Sequence, residues 1–193
     1  MTSFLGTMAG GVNGSGDTTT GSPSKPNNTV ILTEYIEKSV SFCLNEDDDH
    51  KYPNLFLPDS NSSLKSDCDE QLLLQLGFRE PVNLQFIEIK FEAGNISAPK
   101  TIKFFKDKSN LDFDSAEIEK PTDTYDIDTT TQANGSVRIQ MVPMRWNNTS
   151  TLTAFVVDSH GSEVCVINNF NIFGSPKGGL NNVNDIGKNC WGS

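Results

Sequence analysis

The chain has no apolar run approaching the ~20 consecutive residues that a membrane-spanning helix needs, which predicts a soluble protein. It has no run of Lys or Arg either. Its 15 basic residues are outnumbered by 25 acidic ones, giving a formal net charge of −10. A basic surface for nucleic acid or for an anionic membrane is therefore not expected. Near the N-terminus only Phe4 and Leu5 form an apolar pair, with no basic residue before them, so the apolar core of a signal peptide is missing. Secretion is disfavoured and a cytoplasmic or nuclear location is expected. Histidine is scarce too. With only His50 and His160, acid–base chemistry would fall to carboxylates or lysines, and no spacing singles out such a pair. The four cysteines, Cys43, Cys68, Cys165 and Cys190, are scattered without a Cys-x-x-Cys, which removes the usual zinc and thioredoxin-like patterns and predicts reduced thiols. No cofactor or metal, no enzymatic activity and a monomer are expected.

What is present fits one domain. The first 30 residues are dominated by Gly, Ser, Thr, Pro and Asn, with Asp17 and Lys25 as their charges, so they cannot bury enough apolar surface to offset ordering, and a flexible tail is predicted. Residues 31–187 carry the apolar density of a single core, and 188–193 form a short tail. Asn-x-Ser/Thr triplets at Asn13, Asn27, Asn61, Asn95, Asn134, Asn147 and Asn148 are read as chance in an Asn-rich and Ser/Thr-rich chain that does not enter the secretory pathway.

Ile31, Leu32, Tyr35 and Ile36 recur at helical spacing over barely two turns, which suits a short helix or an irregular docking arm. Residues 71–78 are an apolar stretch between acidic residues and Pro81, the form of a buried strand. Val82, Leu84 and Phe86 then alternate, followed by Ile87, Ile89 and Phe91 in the opposite phase. A strand cannot turn its apolar face over between adjacent residues, so a β-bulge near Phe86 and Ile87 is predicted, or burial on both faces there. Further strands are predicted at 101–105, near 125–127, and at 137–142, 152–157 and 164–173, the last with Val164, Val166, Phe170 and Ile172 on one face. Residues 111–118 predict one short helix that Pro121 would end. Short strands separated by Gly, Asn, Asp and Pro turns indicate an all-β antiparallel sandwich or barrel.

Several ordered pieces of the chain resemble the PITH domain family. They are Cys43-Leu44-Asn45 followed by acidic residues, the run from Ser66 to Leu73, Pro81-Val82-Asn83-Leu84, and Leu111-Asp112-Phe113-Asp114 with Pro121-Thr122. Weaker pieces are 152–157, Phe173-Gly174 and Asn182-Val183-Asn184-Asp185. The resemblance implies a jelly-roll sandwich similar to galactose-binding-like domains. It also implies association with the 26S proteasome. Relatives that carry a thioredoxin domain have a Cys-x-x-Cys which is absent here, so their oxidoreductase activity does not follow.

Candidate protein-binding residues are Asp67, Asp69, Glu70, Asn45 and Trp146. In Asp67-Cys68-Asp69-Glu70 the negative neighbours disfavour the thiolate. Cys68 is expected to pack inward at the start of a strand while Asp67 and Asp69 face outward or bond turn amides, the alternative being an acidic docking site for a basic segment. The run from Asn45 to His50 has oxygens at the first, third and fifth positions of a calcium loop, but His50 replaces the turn Gly and Phe56 the bidentate Glu. A solvated acidic loop is the expectation. Asp158-Ser159-His160-Gly161 holds the residue types of a hydrolase triad, yet adjacent residues on one turn cannot form the relay, so a plain turn is expected. Trp146 stands in a polar loop beside Asn147. It is expected to be buried, and an exposed indole would instead suit a protein contact or, in an alternative reading, a small ligand or carbohydrate.

Overall fold

The computed structural model describes residues 29–57, 62–129 and 134–177, whose regular structure is mostly antiparallel β-strand with one short α-helix and two 3-10 turns. The predicted tail and the segment around Asn182 lie outside the described residues, as do Cys190 and Trp191.

A single strand organises the architecture. Strand β4, Leu72–Lys90, pairs with four others. Its first half lies between β2 (Ile36–Leu44) and β8 (Thr149–Ser159), and β8 leads on to β5 (Pro99–Lys106) and β6 (Asp123–Asp126). Its second half lies between β10 (Asn169–Pro176) and β7 (Ser136–Gln140), with the short β1 (Val30–Ile31) outside β10. The chain thus builds two sheet layers that share β4, whose pairing with β8 shifts register between Gly77 and Val82, where Arg79 and Pro81 are exposed. A separate ribbon joins β3 (Leu64–Lys65) to β9 (Val166–Ile167).

Burial along β4 follows from this placement. Leu72, Leu74 and Leu76 enter the main core with Ile102, Phe104, Leu152 and Val156 of the first layer and Ile87, Ile89, Ile139, Phe170 and Ile172 of the second. Leu73 points the other way, into a satellite cluster with Phe105, Phe155, Leu111 and Ala116. The cover on that face is α1, Phe113–Ile118, which begins where Asp112 accepts a hydrogen bond from Ser115 N at 2.8 Å and ends before Pro121. Covered on both faces, the first half of β4 is buried without alternation, Gln75 included.

The second half alternates, and its phase reverses where the sequence predicts. Val82 and Leu84 are buried, then Ile87 and Ile89, while Phe86 turns outward and stacks on Phe173 with ring centroids 4.4 Å apart. Phe173 pairs with Phe86 but Gly174 pairs with Leu84, so Gln85 is the extra residue of a bulge. A Cβ at Gly174 would lie 2.1 Å from the Asn83 carbonyl oxygen, which reserves that site for glycine.

Two local expectations are corrected. Between β1 and β2, where a short helix or an irregular docking arm was expected, the chain makes a single 3-10 turn, Thr33–Tyr35, and not an amphipathic α-helix: Leu32 and Ile36 are buried while Ile31 is half-exposed. The strand expected at 164–173 is broken at Asn168, whose N–H bonds the Lys90 carbonyl, so the phase resets there. Cys165 and Ile167, not Val164 and Val166, are the buried pair before the break.

Candidate interaction surface

The acidic segments 45–50 and 67–70 meet at one place beside the start of β4. Strand β2 ends at Leu44, and Asn45 turns the chain with φ of 63°, a left-handed conformation that asparagine tolerates better than most residues. Its side chain ties the two segments together. Nδ2 donates to Gln71 O at 2.7 Å and to Asp69 Oδ1 at 2.8 Å, Oδ1 accepts from Cys68 N at 3.1 Å, and its backbone carbonyl accepts from Asp67 N. Asn45 is therefore a structural clasp whose side-chain polar atoms are engaged within the protein.

Asp69 also accepts from Gln71 N at 3.0 Å, as expected of a turn carboxylate. Asp67, Cys68 and Asp69 are exposed and Glu70 is half-buried. The expected inward packing of Cys68 is thus overturned. With Asn45 fixing the Cys68 amide from inside the turn, the side chain projects to solvent, and its Sγ donates to Asp67 Oδ2 at 3.2 Å. That hydrogen bond, then the charge of Asp67, partial desolvation and the charge of Asp69, raise the thiol pKa. The expected poor nucleophile is accessible but protonated. Cys43 and Cys165 are different: burial pushes Cys165 up to about 12 and Cys43 higher still. All three are free thiols.

In the neighbouring loop, His50 Nδ1 donates to Asp47 Oδ1 at 2.9 Å and Asp49 N to the same oxygen at 3.0 Å, which lowers the Asp47 pKa. Glu46 accepts from Tyr52 N at 2.7 Å, and Asp48 pairs with Lys51. The loop spends its carboxylates mostly on its own backbone and side chains. Among the described residues no group of three His, Cys, Asp or Glu is arranged to hold a metal ion.

Trp146 stands elsewhere and is wholly buried. It lies in the main core, with Nε1 donating to Asp123 Oδ2 at 2.6 Å, and the other Asp123 oxygen takes Arg145. The indole fixes the loop before β8 to the start of β6 and has no face to offer a ligand, so Trp146 is withdrawn as a binding residue. Asn147 beside it is exposed. In the Asp158 to Gly161 turn, Ser159 Oγ caps Gly161 and Ser162 amides and Asp158 binds Thr101 N, so these two serve separate structural ends, while His160 Nε2 is buried without a hydrogen-bond partner among the described residues.

One concavity went unread in the sequence. An apolar groove of about 390 Å³ is lined by Ile36, Tyr52, Pro53, Phe56 and Leu57, with Lys38 and Arg79 among its charged members. The 3-10 turn Tyr52–Phe56 and the start of β2 form its walls together. The spacing of Tyr52 and Phe56 around Pro53 was its only trace in the sequence.

Comparison with known proteins agrees with this architecture. Over residues 22–189 the chain matches the family model of the PITH domain. Thioredoxin-like protein 1 of Schizosaccharomyces pombe is 33% identical over 146 residues, covering 74% of this chain and 50% of that protein. The PITH domain-containing protein CG6153 of Drosophila melanogaster is 27% identical over 127 residues, 63% of this chain and 58% of that one. The chain thus spans about half the length of the first of these relatives. Among solved structures, the family 32 CBM from C. perfringens NanJ in complex with galactose superposes with a TM-score of 0.57 at 8% identity, over 75% of this chain and 98% of that one. CBM32-3 from a family 31 glycoside hydrolase of Clostridium perfringens superposes with a TM-score of 0.53 at 13% identity, over 74% and 96% respectively. At such identities the likeness is one of fold alone, a galactose-binding-like jelly roll. Sequence pieces, sheet order and family model converge: the chain belongs to the PITH domain family.

Proposed function

We propose that this domain is a non-catalytic protein-interaction module that associates with the 26S proteasome and acts in the cytoplasm or nucleus. The observation that carries the reading is the match to the PITH family over residues 22–189, together with the proteasome association which that resemblance implies. The acidic turn supports it with exposed Asp67 and Asp69 and half-buried Glu70, on a turn that Asn45 braces from within and that suits a basic segment of a partner. The purified chain is expected to co-sediment with 26S particles from a cell extract. Absence of co-sedimentation at every salt concentration overturns the reading. Asp67→Asn with Glu70→Gln then tests the surface: weakened co-sedimentation at an unchanged melting temperature places the contact at the turn, and unchanged binding excludes it.

A sugar-binding role is disfavoured by the burial of Trp146, which removes the aromatic platform that reading used. Titration with galactose is expected to leave the tryptophan fluorescence unchanged.

A further inference from the structure

Strand β7 pairs with β4 along one side and, among the described residues, with no strand along the other. Two bonds fix which of its groups lie on which side. Phe91 N donates to the Gly135 carbonyl at 2.8 Å and Met141 N to the Gln85 carbonyl at 2.8 Å, both in the register that pairs Ile87 with Ile139. In an antiparallel ladder, residues that exchange bonds with the neighbouring strand alternate with residues that do not. Val137 and Ile139 therefore spend their amides and carbonyls on β4, and those of Ser136, Arg138 and Gln140 point away from it.

An open row of this kind is ordinarily shielded by projecting charges, by proline or by a bulge. Here the two long side chains turn back instead. The Arg138 guanidinium lies over the Phe86 ring, 4.3 Å from its centroid, and reaches Glu88 at 3.4 Å. Gln140 Nε2 donates to the Gln85 carbonyl at 2.8 Å. Both side chains lean onto β4, and Ser136 is too short to cover the edge. Other edges are better closed. In β2 the register shifts between Glu37 and Phe42 and the Ser41 carbonyl accepts from the Tyr52 hydroxyl at 3.1 Å, while Arg145 occupies the Thr122 carbonyl and Asp123 at the start of β6.

The groups on this edge also select the occupant. Backbone donors and acceptors in alternation are complementary to an extended chain that becomes the next strand. The Arg138 side chain is 61% exposed and favours a carboxylate on the residue placed opposite it. Further along the same side Val142 is 42% exposed and Met144 88%, and a recess of about 570 Å³ lined by Gln140, Pro143, Met144 and Asn147 among others opens there. A second copy of the chain fits poorly, because the antiparallel register that engages Ser136, Arg138 and Gln140 together sets one Arg138 against the other.

We propose that β7 is a docking edge for an extended segment of a partner protein, which adds antiparallel along Ser136, Arg138 and Gln140, sets a carboxylate against Arg138 and places an apolar side chain beside Val142 and Met144. Main-chain bonds supply the affinity, and Arg138 with the apolar end supplies the choice of sequence. The contact is separate from the acidic turn at Asp67 and does not depend on proteasome association.

The test pans a display library of random peptides, about nine residues long so as to span a strand and its flanks, against the full chain. Enriched peptides are expected to carry an aspartate or glutamate and to lack a central proline. Gln140→Pro removes one outward amide without touching a ladder bond to β4, and is expected to weaken binding at least tenfold at an unchanged melting temperature. Ser136→Pro provides the same block at the other end of the strand should the first variant melt earlier. Arg138→Gln is expected to cost at least fivefold for an acidic peptide and nothing for the same peptide with its carboxylate converted to an amide. In the bound chain the amides of Ser136, Arg138 and Gln140 are expected to exchange at least tenfold more slowly, while those of Val137 and Ile139 keep their rates. Failure to enrich any peptide over the proline-blocked chain, slowed exchange that does not follow this alternation, or a dimer of the unaltered chain that Gln140→Pro dissolves would overturn the proposal.

Discussion

Asn45 and Trp146 stand in loops that read alike as partner-binding segments, and both turn inward, by opposite means. Asn45 organises its turn through polar bonds, its amide spread over Asp69, Gln71 and the Cys68 backbone. Trp146 organises its loop through apolar burial, with one hydrogen bond to Asp123 anchoring the indole N–H. The difference lies in what each leaves outside. A polar clasp holds a ring of side chains outward, so Asp67, Cys68 and Asp69 remain exposed. An apolar plug draws its loop down and leaves Asn147 and a Met144 that is 88% exposed, without an organised charge.

The comparison breaks most visibly at the plug. Trp146→Ala removes the largest fully buried side chain and is expected to cost about 3–5 kcal/mol in denaturant unfolding. A loss below 1 kcal/mol would show the loop to be independent of the core. Asn45→Ala is expected to cost about 2–3 kcal/mol, since it strands the partners of the amide and puts a Cβ-bearing residue without local hydrogen bonding at positive φ. Asn45→Gly relieves the backbone part, and is expected to recover about 1 kcal/mol of that loss by the same measurement. Equal losses for the two variants would mean that the side-chain bonds carry everything. Asp112→Ala, which removes the cap of α1, is expected to cost about 1 kcal/mol, with near-ultraviolet dichroism reporting loosened packing around Phe113 and Phe155.

The smallest effect on stability is the sharpest on chemistry. Asp67→Asn removes both the strongest acceptor and the largest charge that raise the Cys68 pKa, so the pKa falls and more thiolate is present at a given pH. Maleimide labelling of Cys68 at pH 7.5 is expected to accelerate about threefold to tenfold, a unit of pKa being a factor of ten in thiolate. Cys43 and Cys165 are expected to stay unlabelled in the folded chain. An unchanged rate would show that Asp67 does not hold the proton on sulfur.

These residues also show which features the sequence makes legible. The apolar run at 71–78 and the change of phase near Phe86 are one-dimensional signals, because burial of a strand is written in its own alternation, and both were read correctly. The direction of Cys68 was not, because it depends on Asn45, 23 positions away, gripping the intervening turn from within. The broken strand at Asn168 escaped for a similar reason: the Lys90 carbonyl that receives its N–H belongs to another strand. The groove was the least legible feature, since its walls come from β2, the 3-10 turn at Tyr52 and Arg79 of β4. Acidic runs, by contrast, declare their charge in sequence but not which oxygens the backbone has already taken.

The sharing of β4 by both layers bears on how the domain comes apart. A sandwich whose sheets own separate strands can lose one sheet and retain part of the other. Here the inner strand of each layer is the same covalent segment, so releasing Ile87 and Ile89 from β7 and β10 also loosens the template on which β2 and β8 align. Unfolding is therefore a single cooperative event, and slow amide exchange should run along the whole of β4 at one common free energy rather than in two tiers. The same arrangement delays assembly: β4 cannot be flanked in its first half before β8 has been synthesised, nor in its second half before β10. The domain closes only when nearly all of the chain is available.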